Sequence, residues 1–250
     1  MPVKIGHVEA IFRYPVKSMA GERLDAAKVG WHGLEGDRRL AFRRVEDRSG
    51  FPWLSASELP DLLLFAPHRQ DDGSSGDLPT HVRTPDGEAL PVFSEALAAE
   101  VERRHGAPVR MMHLKHGVFD EATISVIAVD TVQEISRLAG RDPDVRRFRP
   151  NILVRQLRPV SFQEDEWLGG VLTFGEGVDA PRITVTLRDI RCSMVNYDPD
   201  SAAPAPEMLK AVVRVHQNTA GIYGTVTCAG RVAVGQAIFL HAPTGSAGRA

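Results

Sequence analysis

Through its first ninety or so residues this chain is cut into short runs by turn-forming residues, and few folds accept that pattern. "HVEAIFRY" (His7–Tyr14) alternates apolar and polar positions, within a strand expected from Ile5 to Tyr14. "RRLAFRRV" alternates around Leu40, Phe42 and Val45, and "LLLFAP" (Leu62–Pro67) is a compact apolar run read as another strand. "DRSG", "DDGSSGD" and "TPDGEALPV" punctuate them, the second read as a hairpin loop inside a domain. Many short strands with frequent turns predict a β-rich barrel or sandwich, because such strands bury one face each and must close on one another.

From Ser94 the periodicity changes to helical. "SEALAAEVERRHG" has a Ser cap, Leu97 and Val101 on one face, and Gly106 as its stop. "AVDTVQEISRLAG" predicts a second helix, capped by Asp130 or Thr131 and ended at Gly140, and "PEMLKAVVRVH" a third. Strands are expected at "NILVR", "GGVLTFG", "RITVTLRDIRC" and "RVAVGQAIFLH". The expected division is residues 1–100, 101–243 and a flexible tail at 244–250.

Composition removes several function classes. With 43% apolar and 25% charged residues the chain is globular in type, and a formal charge of -2 provides no global field for nucleic acid or an acidic membrane. No run approaches the ~20 apolar residues of a membrane span, and the N-terminus lacks a signal-peptide core, so a cytoplasmic location is expected. Cys192 and Cys228 form no C-x-x-C pair, which argues against a structural zinc site or an iron–sulfur cluster.

The chemistry-bearing candidates are few. Cys192 ends a β-branched run next to Arg191; it reads either as a reactive or ligating thiolate favoured by the cation or as a half-buried core residue. Cys228 reads as core filler in a hairpin turning at Ala229-Gly230. Arg149-Pro150-Asn151 suits bidentate binding of phosphate or of a flat heterocycle, or is a solvated basic turn. "GLEGDRRLAF" offers Gly33 and Gly36 before Asp37 and Arg38. "HLKH" (His113, His116) lacks a carboxylate for a metal site, and "EDE" (164–166) reads as a solvated loop.

Taken in order, "YPVKS", "GLEGDRR", "FRPNI", "RC" followed by "DPDS", and the closing Gly230–Gly235 segment resemble the MOSC-domain family, named for the C-terminal domain of molybdenum cofactor sulfurases. The layout resembles the mitochondrial amidoxime-reducing component and its bacterial relatives, over residues 4–241. The resemblance implies a β-rich α+β fold, with an N-terminal β-barrel domain before a MOSC β-barrel domain and a few flanking helices. It implies a molybdenum cofactor (Mo-molybdopterin) held by Lys17, Ser18, Arg38, Arg149, Asn151 and Arg191, with Thr123 and Ser125 in a polar segment nearby and Asp198 as a further candidate. Cys192 is implied as the catalytic residue and molybdenum ligand.

The implied activity is reduction of small N-hydroxylated, amidoxime-type substrates, with electrons from a separate reductase or ferredoxin and no nucleic-acid or membrane partner. A sulfur or cofactor carrier using a Cys192 persulfide or thiolate is the alternative, and a lapsed module is a third. Four positions depart from the family pattern: Ser57 where relatives often carry a cation, Gln236 in place of an acid, and Asp189-Ile190 ahead of the cysteine.

Overall fold

The computed structural model describes residues 2–70 and 76–243. The first half runs β1 (Val3–Arg13), β2 (Glu22–Leu24), β3 (Ala26–Gly30), β4 (Gly33–Leu34), β5 (Leu40–Arg44), β6 (Ala66–His68), β7 (His81–Arg83), β8 (Ala89–Pro91), α1 (Glu95–His105) and β9 (Val109–His113). The second half runs β10 (Ile124–Ala128), α2 (Val129–Ala139), β11 (Ile152–Gln156), β12 (Val171–Phe174), β13 (Arg182–Ile190), α3 (Glu207–His216), β14 (Thr219–Cys228), β15 (Gly230–Ala233) and β16 (Ala237–His241). The fold is β-rich α+β.

Seven strands close into a barrel in the order β11-β10-β14-β13-β12-β16-β1, sealed by pairing of β1 with β11. Closure removes the unpaired edges that an open sheet would expose. The parallel pair β10–β11 needs a crossover, and α2 lies in it. Ile124 and Val126 face the barrel core with Val8, Ile152, Leu172, Ile183 and Ile222, while Ile127 packs outward with Val132, Ile135, Met208 and Val212 of α2 and α3. Buried on both faces, β10 is apolar at every position but Ser125. A separate core gathers Val16, Met19, Leu40, Phe42, Leu54, Phe65, Val82, Leu97 and Met111 around β5 and β9.

Strand β1 belongs to the barrel made by β10–β14 and β16, and residue 100 lies inside α1, whose Leu97 and Val101 join the β5–β9 core. Helix α1 has its Ser94 cap, accepting from the Leu97 N–H at 3.1 Å, and stops at Gly106 with φ +83°.

Several local expectations are corrected. "LLLFAP" is a 3-10 turn over Pro60–Leu64 followed by β6, because Pro60 supplies a helical φ at its first position. Cys228 sits half-buried at the end of β14, but β15 pairs with β3 rather than folding back on β14. Neither Asp130 nor Thr131 caps α2. Its first turn is served by Glu164, fully buried, whose Oε2 accepts from Thr131 Oγ1 at 2.9 Å and whose Oε1 faces the Ala128 N–H at 3.4 Å. Thus "EDE" is no solvated loop: a carboxylate at a helix N-terminus is favoured by the dipole and the free N–H groups, although burial pushes this carboxyl above its ordinary value. Antiparallel pairing of β6 with β7 brackets "DDGSSGD", of which residues 71–75 lie outside the described residues, as does the 244–250 tail.

Candidate functional site

The site begins with one buried carboxylate. Asp37, fully buried in the turn after β4, accepts the Tyr14 N–H at 2.7 Å through Oδ1, and Asn151 Nδ2 at 3.0 Å and Arg38 Nη1 through Oδ2. It therefore ties the end of β1, its own turn and the segment before β11 to one point. Asn151 is saturated: its amide also donates to Phe12 O, and its carbonyl accepts the Ser125 N–H at 3.0 Å. Ser125 Oγ donates to Asp189 Oδ2 at 2.9 Å, and Asp189 pairs with Arg191 Nη2 at 2.8 Å. Arg191 donates as well to the carbonyls of Ala220 and Phe148. This chain of contacts crosses from the end of β1 to the end of β13.

Three non-glycine residues on this frame hold a left-handed backbone: Ser18 (φ +66°), Arg38 (φ +50°) and Arg149 (φ +49°). Each costs about 1–2 kcal/mol relative to an ordinary conformation, and such strain persists where surrounding structure imposes it, often at functional sites. All three line a single cleft, together with Lys17, Asp120, Arg147, Asp189, Ile190, Arg191, Cys192, Met194 and Tyr223 among others. Its inner part encloses about 70 Å³ and shares Lys17, Asp120, Ile190, Cys192, Met194 and Tyr223 with an outer chamber of about 310 Å³. Cys192 is exposed at the junction, one residue beyond the buried Arg191.

The charges are unevenly matched. Five cations line the inner cleft. Arg38 is paired with Asp37, Arg147 with Asp198, Arg191 with Asp189, and Lys17 with Asp120 at 2.8 Å. Arg149 has no carboxylate partner among the described residues; one Nη1 donates to Met19 O at 2.8 Å, and its guanidinium lies 4.2 Å from the centre of the Tyr14 ring. Burial, helped by the nearby Arg38 cation, pushes Arg149 down to about 10. Burial also opposes the charge of Arg38, but Asp37 beside it prevails and raises it. At Asp189 burial prevails over Arg191 and pushes the carboxyl up to about 6. At Asp120 desolvation is outweighed by Lys17, which holds the carboxyl below its usual range.

Arg149 also forms part of the wall of a neighbouring cavity of about 420 Å³, lined by Phe12, Tyr14, Arg23, Leu63 and Val145 among others. The Tyr14 hydroxyl is buried with no hydrogen-bond partner among the described residues. A guanidinium with free donors, reachable from two cavities, is an anion site in chemistry and in room.

Family models match this chain twice: the MOSC domain over residues 87–239 and the MOSC N-terminal β-barrel domain over residues 5–122. The chain belongs to the MOSC domain family. That family is associated with the molybdenum cofactor. A comparison with curated proteins found no match. Among solved structures, the YuaD protein from Bacillus subtilis superposes with a TM-score of 0.53 at 15% identity, covering 97% of this chain and 99% of that one. YiiM from Geobacillus stearothermophilus aligns with 48% of this chain and 54% of its own, at 18% identity and a TM-score of 0.37. The likeness to YuaD is one of fold. No helix among the described residues is long and apolar enough to cross a membrane.

On this MOSC chain the residues singled out from sequence fall into two layers. Lys17, Ser18, Arg38, Arg149, Arg191 and Cys192 line the cleft. Asn151 and Ser125 lie behind its wall with their polar groups engaged by protein, and Thr123 sits apart, its carbonyl and side chain against Gly33. Arg191, expected to act on the neighbouring thiol, directs its donors to two carbonyls and Asp189 instead. Asp198 closes the "DPDS" turn, accepting from the Asp200 and Ser201 N–H groups, and holds Arg147. His116 stacks on His32 at 4.2 Å rather than working with His113. Sequence reasoning missed Asp120 and Tyr223 as cleft residues; Asp120 lies 103 positions from its Lys17 partner, beyond any local pattern.

Proposed function

We propose that the cleft binds the molybdenum cofactor through a Cys192 thiolate and that this MOSC protein reduces small N-hydroxylated, amidoxime-type compounds. The observation that carries the reading is Arg149: a cation held in strained backbone without a carboxylate among the described residues, lining the same cleft as an exposed thiol. The residues fit the group. A thiolate is a soft sulfur ligand of the kind such a metal takes, and the terminal phosphate of the cofactor matches the free donors of Arg149 with Lys17, Ser18 and Arg38 alongside.

When bound, the cofactor would supply the two-electron redox chemistry of the reaction. The chain's own residues bind, orient and screen. Asn151, Ser125 and Asp189 hold the wall that carries Arg38 and Arg191, and Ile190 and Met194 narrow the approach to Cys192. Asp120, held ionised by Lys17 at the junction, fixes the position of that ammonium beside the cleft. Electrons come from a separate reductase or ferredoxin in this reading, since two isolated cysteines cannot ligate a cluster.

One observation favours the carrier alternative. Cys192 is exposed rather than enclosed, so another protein can reach its sulfur. Metal analysis of the chain and of Cys192→Ser, both purified from a host that makes the cofactor, separates the readings. Near-stoichiometric molybdenum lost in the variant supports the ligand role. Its absence from both, with a persulfide on Cys192 by mass spectrometry, supports the carrier. Turnover of an N-hydroxylated compound by the loaded protein with a chemical reductant tests the activity itself.

A further inference from the structure

The inner and outer parts of the cleft differ in charge balance. The inner part is lined by five cations and two carboxylates, Asp120 and Asp189. The outer chamber is lined by Phe51, Ile190, Met194 and Tyr223, by the hydroxyls of Ser55 and Ser57, and by two carboxylates, Asp120 and Glu121, with Lys17 its one cation. Phe51 is 45% and Ile190 65% exposed, so the chamber presents an aromatic ring and an aliphatic side chain to solvent. Glu121 makes no ion pair among the described residues.

Lys17 shows what this chamber can hold. Its ammonium lies 2.8 Å from Asp120 Oδ1 and 5.1 Å from the centre of the Phe51 ring, so a carboxylate and an aromatic face grip one cation together. The side chain is only 10% exposed, so this cation is held out of water. The volume of about 310 Å³ around it is enough for a small organic molecule.

We infer that the outer chamber is a binding site for a small, flat organic cation: a protonated nitrogen group gripped by Asp120 and Glu121, with an apolar body against Phe51, Ile190 and Met194. Lys17 occupies the cation position in its absence and competes with the ligand. An anion in the inner cleft draws Lys17 inward and leaves Asp120 and Phe51 open, so the two sites are coupled and each ligand strengthens the other. As a substrate or product site the chamber rests on the function proposed above; as a binding site it stands on its own geometry.

The test is a calorimetric titration of the full chain, purified from a cofactor-making host with its molybdenum content measured in parallel. The probes are benzylammonium, benzyl alcohol and benzoate, which share a ring and differ in charge. Benzylammonium is expected to bind about tenfold more tightly than benzyl alcohol, as befits a charge-assisted contact, with benzoate weakest. Asp120→Asn and Glu121→Gln together should abolish the preference, and Phe51→Ala should weaken benzylammonium and benzyl alcohol alike. In the cofactor-free fraction, Lys17→Met, which removes the internal competitor, should tighten benzylammonium binding about tenfold, the size of one lost charge-assisted pair. Equal affinities, a preference for benzoate, no saturable binding of any probe, or a Lys17→Met protein that binds benzylammonium less well would each overturn the inference. The molybdenum content reports separately on the proposed cofactor, so failure of one does not masquerade as failure of the other.

Discussion

The back wall of the cleft and its mouth are built on opposite principles. In the wall, Asp37, Asn151, Ser125, Asp189 and Arg191 engage one another and nearby backbone groups, and all are at least nine-tenths buried. At the mouth, Cys192, Asp120, Phe51 and Ile190 are exposed and lightly tied. A satisfied buried network is stiff because every displacement leaves a polar group without a partner. An exposed side chain loses little by moving. The difference teaches that stability and ligand binding are divided here: the wall keeps Ser18, Arg38 and Arg149 in strained backbone, and the mouth is left to choose what enters.

The comparison is broken most forcefully at Asp37. Asp37→Ala strands the Tyr14 N–H, the Asn151 amide and the Arg38 cation together, and should cost about 3–5 kcal/mol of unfolding free energy in urea. A loss below about 1 kcal/mol, the level of ordinary surface changes, would show that the wall is not the rigid element.

Asp189 tests the same wall through pH. Its folded carboxyl keeps a proton up to about pH 6, whereas its ordinary value is 3.8, so between those values the folded state binds more protons than the unfolded chain. This group's contribution is therefore fully present below about pH 4 and declines as pH rises through 6. The stability difference between the parent and Asp189→Asn should shift by roughly 3 kcal/mol across that window, the parent losing ground as pH rises. A difference that stays flat from pH 4 to 7 would contradict the raised value.

Glu164 provides a control far in sequence from the mouth. Glu164→Ala leaves Thr131 Oγ1 and the start of α2 without their acceptor and should cost about 1–3 kcal/mol, with molybdenum content unchanged in the folded fraction. Loss of metal there would mean that wall and helix are one cooperative unit.

The smallest stability effect belongs to the mouth. Cys192→Ser should alter unfolding free energy by no more than about 0.5 kcal/mol, yet remove bound molybdenum entirely, while Cys228→Ser, at the half-buried end of β14, keeps it. Full metal in Cys192→Ser would sink the ligand assignment.

Much of this was legible without coordinates, and the reasons are local. The Ser94 cap and Gly106 stop of α1 are written within thirteen residues, because capping and left-handed termination act over one turn. The strand alternation of β1 and the ordered MOSC motifs placed Lys17, Arg38, Arg149 and Cys192 as candidates, and folding brings their side chains to one cleft. Only tertiary structure could decide the rest. That β1 completes the C-terminal barrel, that Glu164 serves a helix thirty-odd residues earlier, and that Lys17 meets Asp120 across 103 positions all depend on packing. So does the solitude of Arg149, since a missing partner leaves no trace in any local pattern. Sequence periodicity records which face of a strand or helix is buried; it does not record which distant charge will meet it there.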